Sequence, residues 1–130
     1  KSAIKSGLKI IFCIGETLKE RRQKKTNQIL KRQIEKGLKS IKNKSKIIIA
    51  YEPVWSIGTG VIPKEADLNK TISFIKSRFV KKYPKILYGG SVNTNNVSIL
   101  KKIPSIDGFL IGGASQNPKK FIDIIKKTIN

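Results

Sequence analysis

Four short apolar runs alternate with amphipathic stretches along this chain of 130 residues. A short and almost continuous apolar run is typical of a strand that is buried on both faces. Because each run is followed by a stretch with helical spacing, the order indicates parallel strands joined by right-handed crossovers. The sequence therefore predicts an α/β fold without a dividing linker over residues 1–130, with strands at residues 9–13, 47–50, 86–88 and 109–111.

The stretches between the strands carry apolar residues three or four positions apart, which places them on one helical face. Glu65 and Asp67 follow Pro63, where the positive end of a helix favours acidic side chains. Asn117 and Pro118 form an N-cap and first-turn pair for the last helix. The predicted helices cover residues 17–25, 27–41, 63 to about 82, 93–101, and a C-terminal segment from residue 117 with a buried stripe of Phe121, Ile122, Ile125 and Ile129.

The most informative sequence follows the second predicted strand. Glu52 stands there alone, and residues 53–60 after it (Pro-Val-Trp-Ser-Ile-Gly-Thr-Gly) have the composition of a lid with a stiff leading end and glycine hinges. A carboxylate loses water and becomes a stronger base when an apolar lid closes over it. We predict that Glu52 is a general base at the carboxyl end of the sheet, where α/β proteins build their sites. The alternative is a structural acid that bonds backbone amides or a lysine.

Glycine turns follow the third and fourth predicted strands, at Gly89-Gly90-Ser91 and Gly112-Gly113. Glycines there and at Gly58 in the lid let backbone N–H groups approach an anion, and the following helices add a positive dipole. Two such turns after successive strands predict a phosphate-binding cup, to which Ser91 adds a hydroxyl donor. Each turn alone is equally typical of a tight turn without a ligand.

The remaining candidates are polar or nucleophilic groups near the same strand ends. We expect Glu16 to bond the Tyr51 hydroxyl or the Trp55 indole N–H, and Tyr88 to bond the lid backbone. Cys13 is expected to be a buried packing residue, because the chain has no histidine to activate its thiol. With one cysteine and no histidine, the sequence predicts no metal site and no cofactor.

The net charge of +20 makes a polyanion partner an alternative. Lysines recur in nearly every predicted helix and loop, however, which is typical of solvated outer faces. We therefore expect no specific nucleic-acid function, only weak binding of polyanions through bulk charge. No apolar run approaches the ~18 residues of a membrane span, so no membrane partner is expected. The single cysteine fits a reducing compartment, which favours the cytoplasm.

The chain resembles the triosephosphate isomerase family in four motifs that follow in the family's order and spacing. They are Phe-Cys-Ile-Gly-Glu-Thr at residues 12–17, Ala-Tyr-Glu-Pro-Val-Trp-Ser-Ile-Gly-Thr-Gly at residues 50–60, Tyr-Gly-Gly-Ser-Val at residues 88–92, and Asp-Gly-Phe-Leu-Ile-Gly-Gly-Ala-Ser at residues 107–115. The resemblance covers essentially the whole chain. It implies a TIM (βα)8 barrel in which residues 1–130 form strands 5–8 with their helices. The N-terminal half would then be missing, an expectation that fits a chain with no methionine.

The resemblance also implies an activity and roles for the candidate residues. The family interconverts dihydroxyacetone phosphate and glyceraldehyde 3-phosphate in glycolysis and gluconeogenesis, and in its known scheme a glutamate base works with a neutral histidine under a closed loop. Glu52 would be that base. Backbone N–H groups would bind the substrate phosphate at Gly58, Ser91, Gly112 and Gly113. The resemblance also implies that Ile57 and Leu110 clamp Glu52. It implies that Glu16, Tyr51 and Trp55 stabilise the open lid, and that Tyr88 stabilises the closed lid.

The chain departs from the family pattern around the lid. Residues 61–63 (Val-Ile-Pro) stand where many members carry a Lys- or Ala-containing hinge ending in Thr-Pro, and Ser56 replaces the usual alanine. Both changes are expected to alter lid kinetics.

The family's lysine, its electrophilic histidine and its main dimer-forming loop belong to the other half of the barrel. A homodimer is therefore expected for the complete protein, and this chain alone is expected to be inactive. Half a barrel has two open strand edges and an uncovered inner face, so we also expect the isolated chain to aggregate or dimerise. The two alternatives are half of another sugar-phosphate-binding barrel enzyme and a basic polyanion-binding module.

Overall fold

A four-stranded parallel sheet forms the centre of the molecule, in a computed structural model that describes residues 1–42, 44–79 and 84–129. Strands that follow one another in the chain are neighbours in the sheet, in the order β1-β2-β3-β4. The strands are β1 (Ile10–Ile14), β2 (Ile47–Tyr51), β3 (Ile86–Tyr88) and β4 (Gly108–Phe109). The helices are α1 (Ser2–Lys5), α2 (Leu18–Arg22), α3 (Thr26–Leu38), α4 (Glu65–Ser77), α5 (Val97–Leu100) and α6 (Pro118–Ile129), with a 3-10 helix at Gly113–Gln116.

The parallel α/β prediction is confirmed, and each predicted strand overlaps an observed one. The pairing register aligns Ile14 with Tyr51, and Tyr51 with Tyr88. The fourth strand is shorter than residues 109–111, because β3 ends at Tyr88 and offers only a short partner. One further ladder bond, from the Leu110 N–H to the Tyr88 carbonyl (3.0 Å), carries the chain past the end of β4.

Four predicted helices are shorter in the structure, among them the one predicted over residues 17–25, which is α2 (Leu18–Arg22). The α3 helix ends at Leu38, before Ile41, and α4 ends at Ser77 with Arg78 as its C-cap. The predicted extension of α4 to about residue 82 runs into residues 80–83, which lie outside the described residues. The prediction of a helix over residues 93–101 is wrong in its first half. Residues 94–96 form a turn there. The Asn93 side-chain oxygen accepts the N–H groups of Asn95 and Asn96 (2.9 and 3.1 Å) and its carbonyl accepts the Val97 N–H (3.1 Å), so Asn93 caps the turn that leads into α5.

The two faces of the sheet differ in burial. One face packs against the helices, and its residues Ile49, Tyr51 and Tyr88 are fully buried. The other face is open at β1, where Ile11 is 46% exposed and Cys13 is also exposed. The prediction that every strand is buried on both faces is therefore wrong for β1, because no described element covers that side of it.

The last helix also presents a different face to the core than its periodicity predicts. Ile124 is its buried residue, whereas Ile122, Ile125 and Ile129 of the predicted stripe are exposed. The helix packs against α5 and the 3-10 helix. Periodicity identified the apolar positions, but no described element covers the outer ones. Among the described residues, no helix has the length and apolarity needed to cross a lipid bilayer.

Candidate functional site

Glu52 follows the last residue of β2 and lies between the carboxyl ends of β1 and β3. Its backbone N–H donates to the Ile14 carbonyl on β1 (2.8 Å). On the other side, the Gly89 N–H after β3 donates to the Tyr51 carbonyl (2.9 Å). The side chain of Glu52 is half-buried. The parallel sheet thus places the predicted base at its carboxyl end, with backbone on both sides fixed by ladder hydrogen bonds.

Two glycines make room for Glu52. A Cβ on Gly15 would overlap the Glu52 backbone carbonyl, and a Cβ on Gly89 would lie 2.7 Å from Glu52 Cγ and 3.0 Å from its Oε1. The Gly15 backbone is held in place by the Gln33 side chain of α3, which accepts its N–H (3.0 Å) and donates to its carbonyl (2.9 Å). Sequence reasoning missed Gln33, whose only signal was an amide beside the apolar stripe of α3.

Cys13 contacts the Glu52 carboxylate, which corrects its prediction as a buried packing residue. The residue lies exposed on the open face of the sheet, because alternate residues of β1 point away from the helices. Partial desolvation of its thiol, and next a hydrogen bond to Glu52, raise the pKa of Cys13 from the ordinary 9.0 to about 11. The thiol is therefore protonated at neutral pH and donates a hydrogen bond to the carboxylate.

Glu16 forms a buried hydrogen-bonded cluster below the lid. Its carboxylate is fully buried and accepts the Tyr51 hydroxyl (3.0 and 3.2 Å) and the Trp55 indole N–H (3.2 Å). The sequence predicted a bond from Glu16 to one or the other of these groups, and the structure shows both. Burial of the Tyr51 ring, and next the charge of Glu16, raise the pKa of Tyr51. The hydroxyl is therefore a permanent donor to Glu16.

Arg21 connects this cluster to both ends of the lid segment, a role that sequence reasoning missed. Its guanidinium lies 3.4 Å from Glu16, 4.9 Å from the Trp55 ring centroid, and 3.4 Å from Asp67 in the first turn of α4. The helix that carries it begins at a capping box, in which Thr17 and Glu20 satisfy each other's backbone N–H groups. The signal available in sequence was this Thr-x-x-Glu pattern directly after Glu16.

The lid lies against the turn that follows β3. The Gly60 N–H donates to Ser91 Oγ (3.1 Å), and the Ser91 N–H donates to Ser56 Oγ (3.1 Å). The Tyr88 hydroxyl contacts Ser56 Oγ at 2.9 Å, so it bonds a lid side chain and not the lid backbone as predicted. The Glu16 contacts implied for the open lid and this contact of Tyr88 with Ser56 occur together in one conformation.

Three of the four predicted phosphate donors are free in the structure. Gly58, Gly112 and Gly113 are exposed, and no hydrogen bond among the described residues uses their backbone N–H groups. Gly58 has a φ of +71°, which an L side chain rarely adopts. Ser91 differs, because its N–H is already bonded to Ser56. An anion at this turn must therefore displace Ser56 or rely on the Ser91 hydroxyl.

The two residues predicted to clamp Glu52 are both partly exposed. Ile57 is 49% exposed at the lid tip, and Leu110 is half-buried after β4. A groove of about 450 Å³ lies between α2 and α3, on the helix side and away from Glu52, and its wall includes Thr17, Gln28 and Arg32. Within the described residues, no three His, Cys, Asp or Glu side chains group as a metal site.

Comparison with known proteins identifies the same family as the sequence motifs do. The model of the triosephosphate isomerase family matches residues 1–128. The chain is 45% identical over 131 residues to the triosephosphate isomerase of Thermodesulfovibrio yellowstonii, with 96% of this chain and 53% of that protein covered. It is 47% identical over 124 residues to that of Mycoplasma mobile, with 95% and 51% covered. It is 42% identical over 136 residues to the triosephosphate isomerase of Candida albicans, with 99% of this chain and 54% of that protein covered.

This chain spans about half the length of the curated relatives that it matches. By these matches, the chain belongs to the triosephosphate isomerase family.

Proposed function

We propose that this chain is the C-terminal half of a triosephosphate isomerase and forms strands 5–8 of its (βα)8 barrel. The four motifs of the sequence, in the family's order, support this placement. The structure supports it in a second way, because one face of β1 is open at Ile11 and Cys13. In a closed barrel that face lines the interior and is covered by the remaining strands.

Glu52 is proposed as the base that moves a proton between two carbons of the substrate. It takes a proton from the carbon beside the carbonyl of dihydroxyacetone phosphate, and an enediolate forms. The hydroxyl proton passes from one oxygen of the enediolate to the other, and return of the carbon-bound proton to the neighbouring carbon gives glyceraldehyde 3-phosphate. The support is positional, because Glu52 is fixed between Gly15 and Gly89 at the carboxyl end of the sheet. The neutral Cys13 thiol donates to its carboxylate without adding a second negative charge.

The substrate phosphate is proposed to bind at the glycine turns. Gly58, Gly112 and Gly113 offer free N–H groups, and Ser91 offers a hydroxyl that already contacts the lid. Backbone donors aimed at an anion at strand ends are a common phosphate site in α/β proteins. Closure of the lid would exclude water from Glu52, with Ile57 and Leu110 moving onto the carboxylate as the implied clamp.

The other parts of the site are proposed to come from the rest of the barrel. The sequence has no histidine, so the electrophile that polarises the substrate carbonyl must lie outside these residues. The family's lysine and dimer-forming loop are placed there as well, and the complete protein is proposed to be a homodimer. A cytoplasmic location is proposed because the chain has a single cysteine. The isolated chain is proposed to be inactive.

The observation that carries the proposal is the position of Glu52, and Glu52→Gln in the complete protein tests it. The amide keeps the shape of the side chain but cannot accept the proton. We expect turnover of glyceraldehyde 3-phosphate to fall by at least about 10²–10⁴-fold, the usual contribution of a general base. Glu35→Gln is the matched control, since Glu35 is exposed on α3 and pairs with Lys31 at 3.8 Å. Undiminished turnover in Glu52→Gln would show that Glu52 is not the base.

Substrate competition separates this proposal from half of another sugar-phosphate barrel enzyme. A phosphorylated enediolate mimic should compete against triose phosphates more strongly than other sugar phosphates do. A preference for a different sugar phosphate would favour the other enzyme. Salt-resistant, sequence-selective DNA binding would favour the nucleic-acid module, whereas binding abolished by moderate salt reflects only the net charge of +20.

A further inference from the structure

Ser56 is fully buried in the lid, and its hydroxyl uses its whole hydrogen-bonding capacity. A serine hydroxyl has one donor and two acceptor sites. Ser56 Oγ donates to the Val61 carbonyl (2.6 Å) and accepts the Ser91 N–H (3.1 Å). Because its one hydrogen is committed to Val61, the Tyr88 hydroxyl must donate the contact of 2.9 Å. No donor or acceptor site of Ser56 Oγ is left unused. Ser56 therefore connects three separate groups, and we call it the hub.

The three partners lie in three separate parts of the site. Val61 is at the far end of the lid, Tyr88 ends β3, and Ser91 belongs to the glycine turn proposed to bind phosphate. A second hydrogen bond also joins the lid to Ser91, because the Gly60 N–H donates to Ser91 Oγ (3.1 Å). Ser91 is thus bound by the lid through both its N–H and its hydroxyl.

No other described contact performs this function. The Glu16 cluster contacts the start of the lid, at Val54 and Trp55, and not the turn after β3. The far hinge contains Pro63, which has no N–H to donate. Thr59 donates to the Ser56 carbonyl (3.0 Å) and accepts the Val61 N–H (3.1 Å), but these bonds stay within the lid. The bonds from the lid to the turn after β3 run through Ser56 and Gly60.

We propose that Ser56 is a positioning residue that holds the lid against the turn at Ser91 and occupies the Ser91 N–H until substrate arrives. The proposal deepens the proposed function and rests on it for its activity readout. Ser56 does not touch the reacting carbons. It sets how often the lid covers Glu52, and it makes the Ser91 N–H a donor that the substrate phosphate must compete for.

Ser56→Ala in the complete protein tests this, with kcat and KM measured separately. The substitution removes the Ser56 hydroxyl that bonds the Val61 carbonyl, the Tyr88 hydroxyl and the Ser91 N–H. Because the lid is then held less firmly, we expect kcat/KM to fall by at least about tenfold. The fall should lie mainly in kcat, because the freed Ser91 N–H becomes available to the phosphate and offsets the change in KM. Unchanged kcat would overturn the proposal.

Ser105→Ala is the matched control. Ser105 is also buried (7% exposed), but within the described part of the chain its hydroxyl has no hydrogen-bond partner. Its kinetics should equal those of the unmodified protein, and a loss equal to that of Ser56→Ala would show that any buried serine has the effect.

A double-mutant cycle with Tyr88→Phe isolates the contribution of Ser56, and the Tyr88→Phe single variant still tests the proposal if Ser56→Ala fails to fold. Tyr88→Phe removes one bond to Ser56 and keeps the ring, so it should lower kcat by itself. The combined variant should lose less than the product of the two single losses, because both remove the same bond. A Tyr88→Phe variant with unchanged kcat, or strictly multiplicative losses, would contradict the proposal.

Amide hydrogen exchange separates failure of this proposal from failure of the proposed function. Exchange at the Ser91 and Gly60 N–H groups should accelerate by at least about tenfold in Ser56→Ala, whatever the substrate is. Accelerated exchange in a protein without isomerase activity would reject the function and keep the hub. Unchanged exchange would reject the hub even in an active isomerase.

Discussion

Gly89 lies so close to Glu52 that the backbone after β3 forms one wall of the carboxylate's pocket. A Cβ at this position would stand 2.7 Å from Glu52 Cγ and 3.0 Å from Oε1. The backbone of Gly89 is bonded to Tyr51 at 2.9 Å, so the strand end cannot easily move away. The glycine that sequence reasoning assigned to an anion-binding turn is thus also a steric requirement of the base.

Gly89→Ala should therefore displace the Glu52 side chain and lower kcat of the complete protein by about a hundredfold, the usual effect of a ~1 Å misplacement of a reacting group. Steady-state kinetics measure this. Gly108→Ala is the control, because its Cβ would meet only the Leu87 Cδ2 methyl at 3.1 Å and that side chain can shift. Equal losses in the two variants would show that crowding of Glu52 is not the cause.

Gln33 is expected to stabilise the fold through its two bonds to Gly15. Gln33→Ala leaves a partly buried N–H and carbonyl without their partners, which should lower the free energy of unfolding by about 1–3 kcal/mol. Urea denaturation measures the change. Gln33→Glu keeps the acceptor for the Gly15 N–H but loses the donor to its carbonyl, so it should also destabilise. Gln28→Ala, at an exposed position of the same helix, should change stability by less than about 0.5 kcal/mol.

Arg21 should not be replaceable by lysine. Its planar guanidinium faces the Trp55 ring at 4.9 Å while contacting Glu16 and Asp67, and an ammonium cannot make all three contacts. Arg21→Lys should cost about 1 kcal/mol of unfolding free energy and lower kcat/KM, because the start of the lid loses its support. Arg22→Lys, at the exposed neighbouring position, should be silent in both measurements. Equal behaviour of the two variants would contradict this role.

The strands and the site's location could be predicted from sequence, because apolar runs and glycine turns are local signals. Glu52 could be predicted as a site residue because it directly follows such an apolar run. The contacts of Arg21 and Gln33 could not be predicted, since a polar side chain's partner depends on which elements approach in three dimensions. The stripe at Ile122, Ile125 and Ile129 failed for a related reason. Periodicity shows which side of a helix is apolar, and packing decides whether anything covers it.

The Cys13 thiol should react slowly in spite of its exposure. Its pKa is raised to about 11 by partial desolvation and by Glu52, so almost no thiolate is present at pH 7–8. Alkylation by iodoacetamide should accelerate as the pH approaches 11, well above the range for an ordinary thiol. A pH–rate profile with a midpoint near 9 would contradict the contact with Glu52.

Glu52→Gln provides the matched test, because it removes the negative charge that opposes thiolate formation. The thiol pKa should then fall and alkylation at pH 8 should accelerate. The same contact gives a pH dependence of stability with a definite sign. The folded protein holds the Cys13 proton more tightly than the unfolded chain does, so this contribution is fully present below pH 9 and is lost as the pH rises from about 9 to 11. Glu52→Gln should shrink that alkaline loss, and an identical loss in both proteins would show that Glu52 does not act on the thiol.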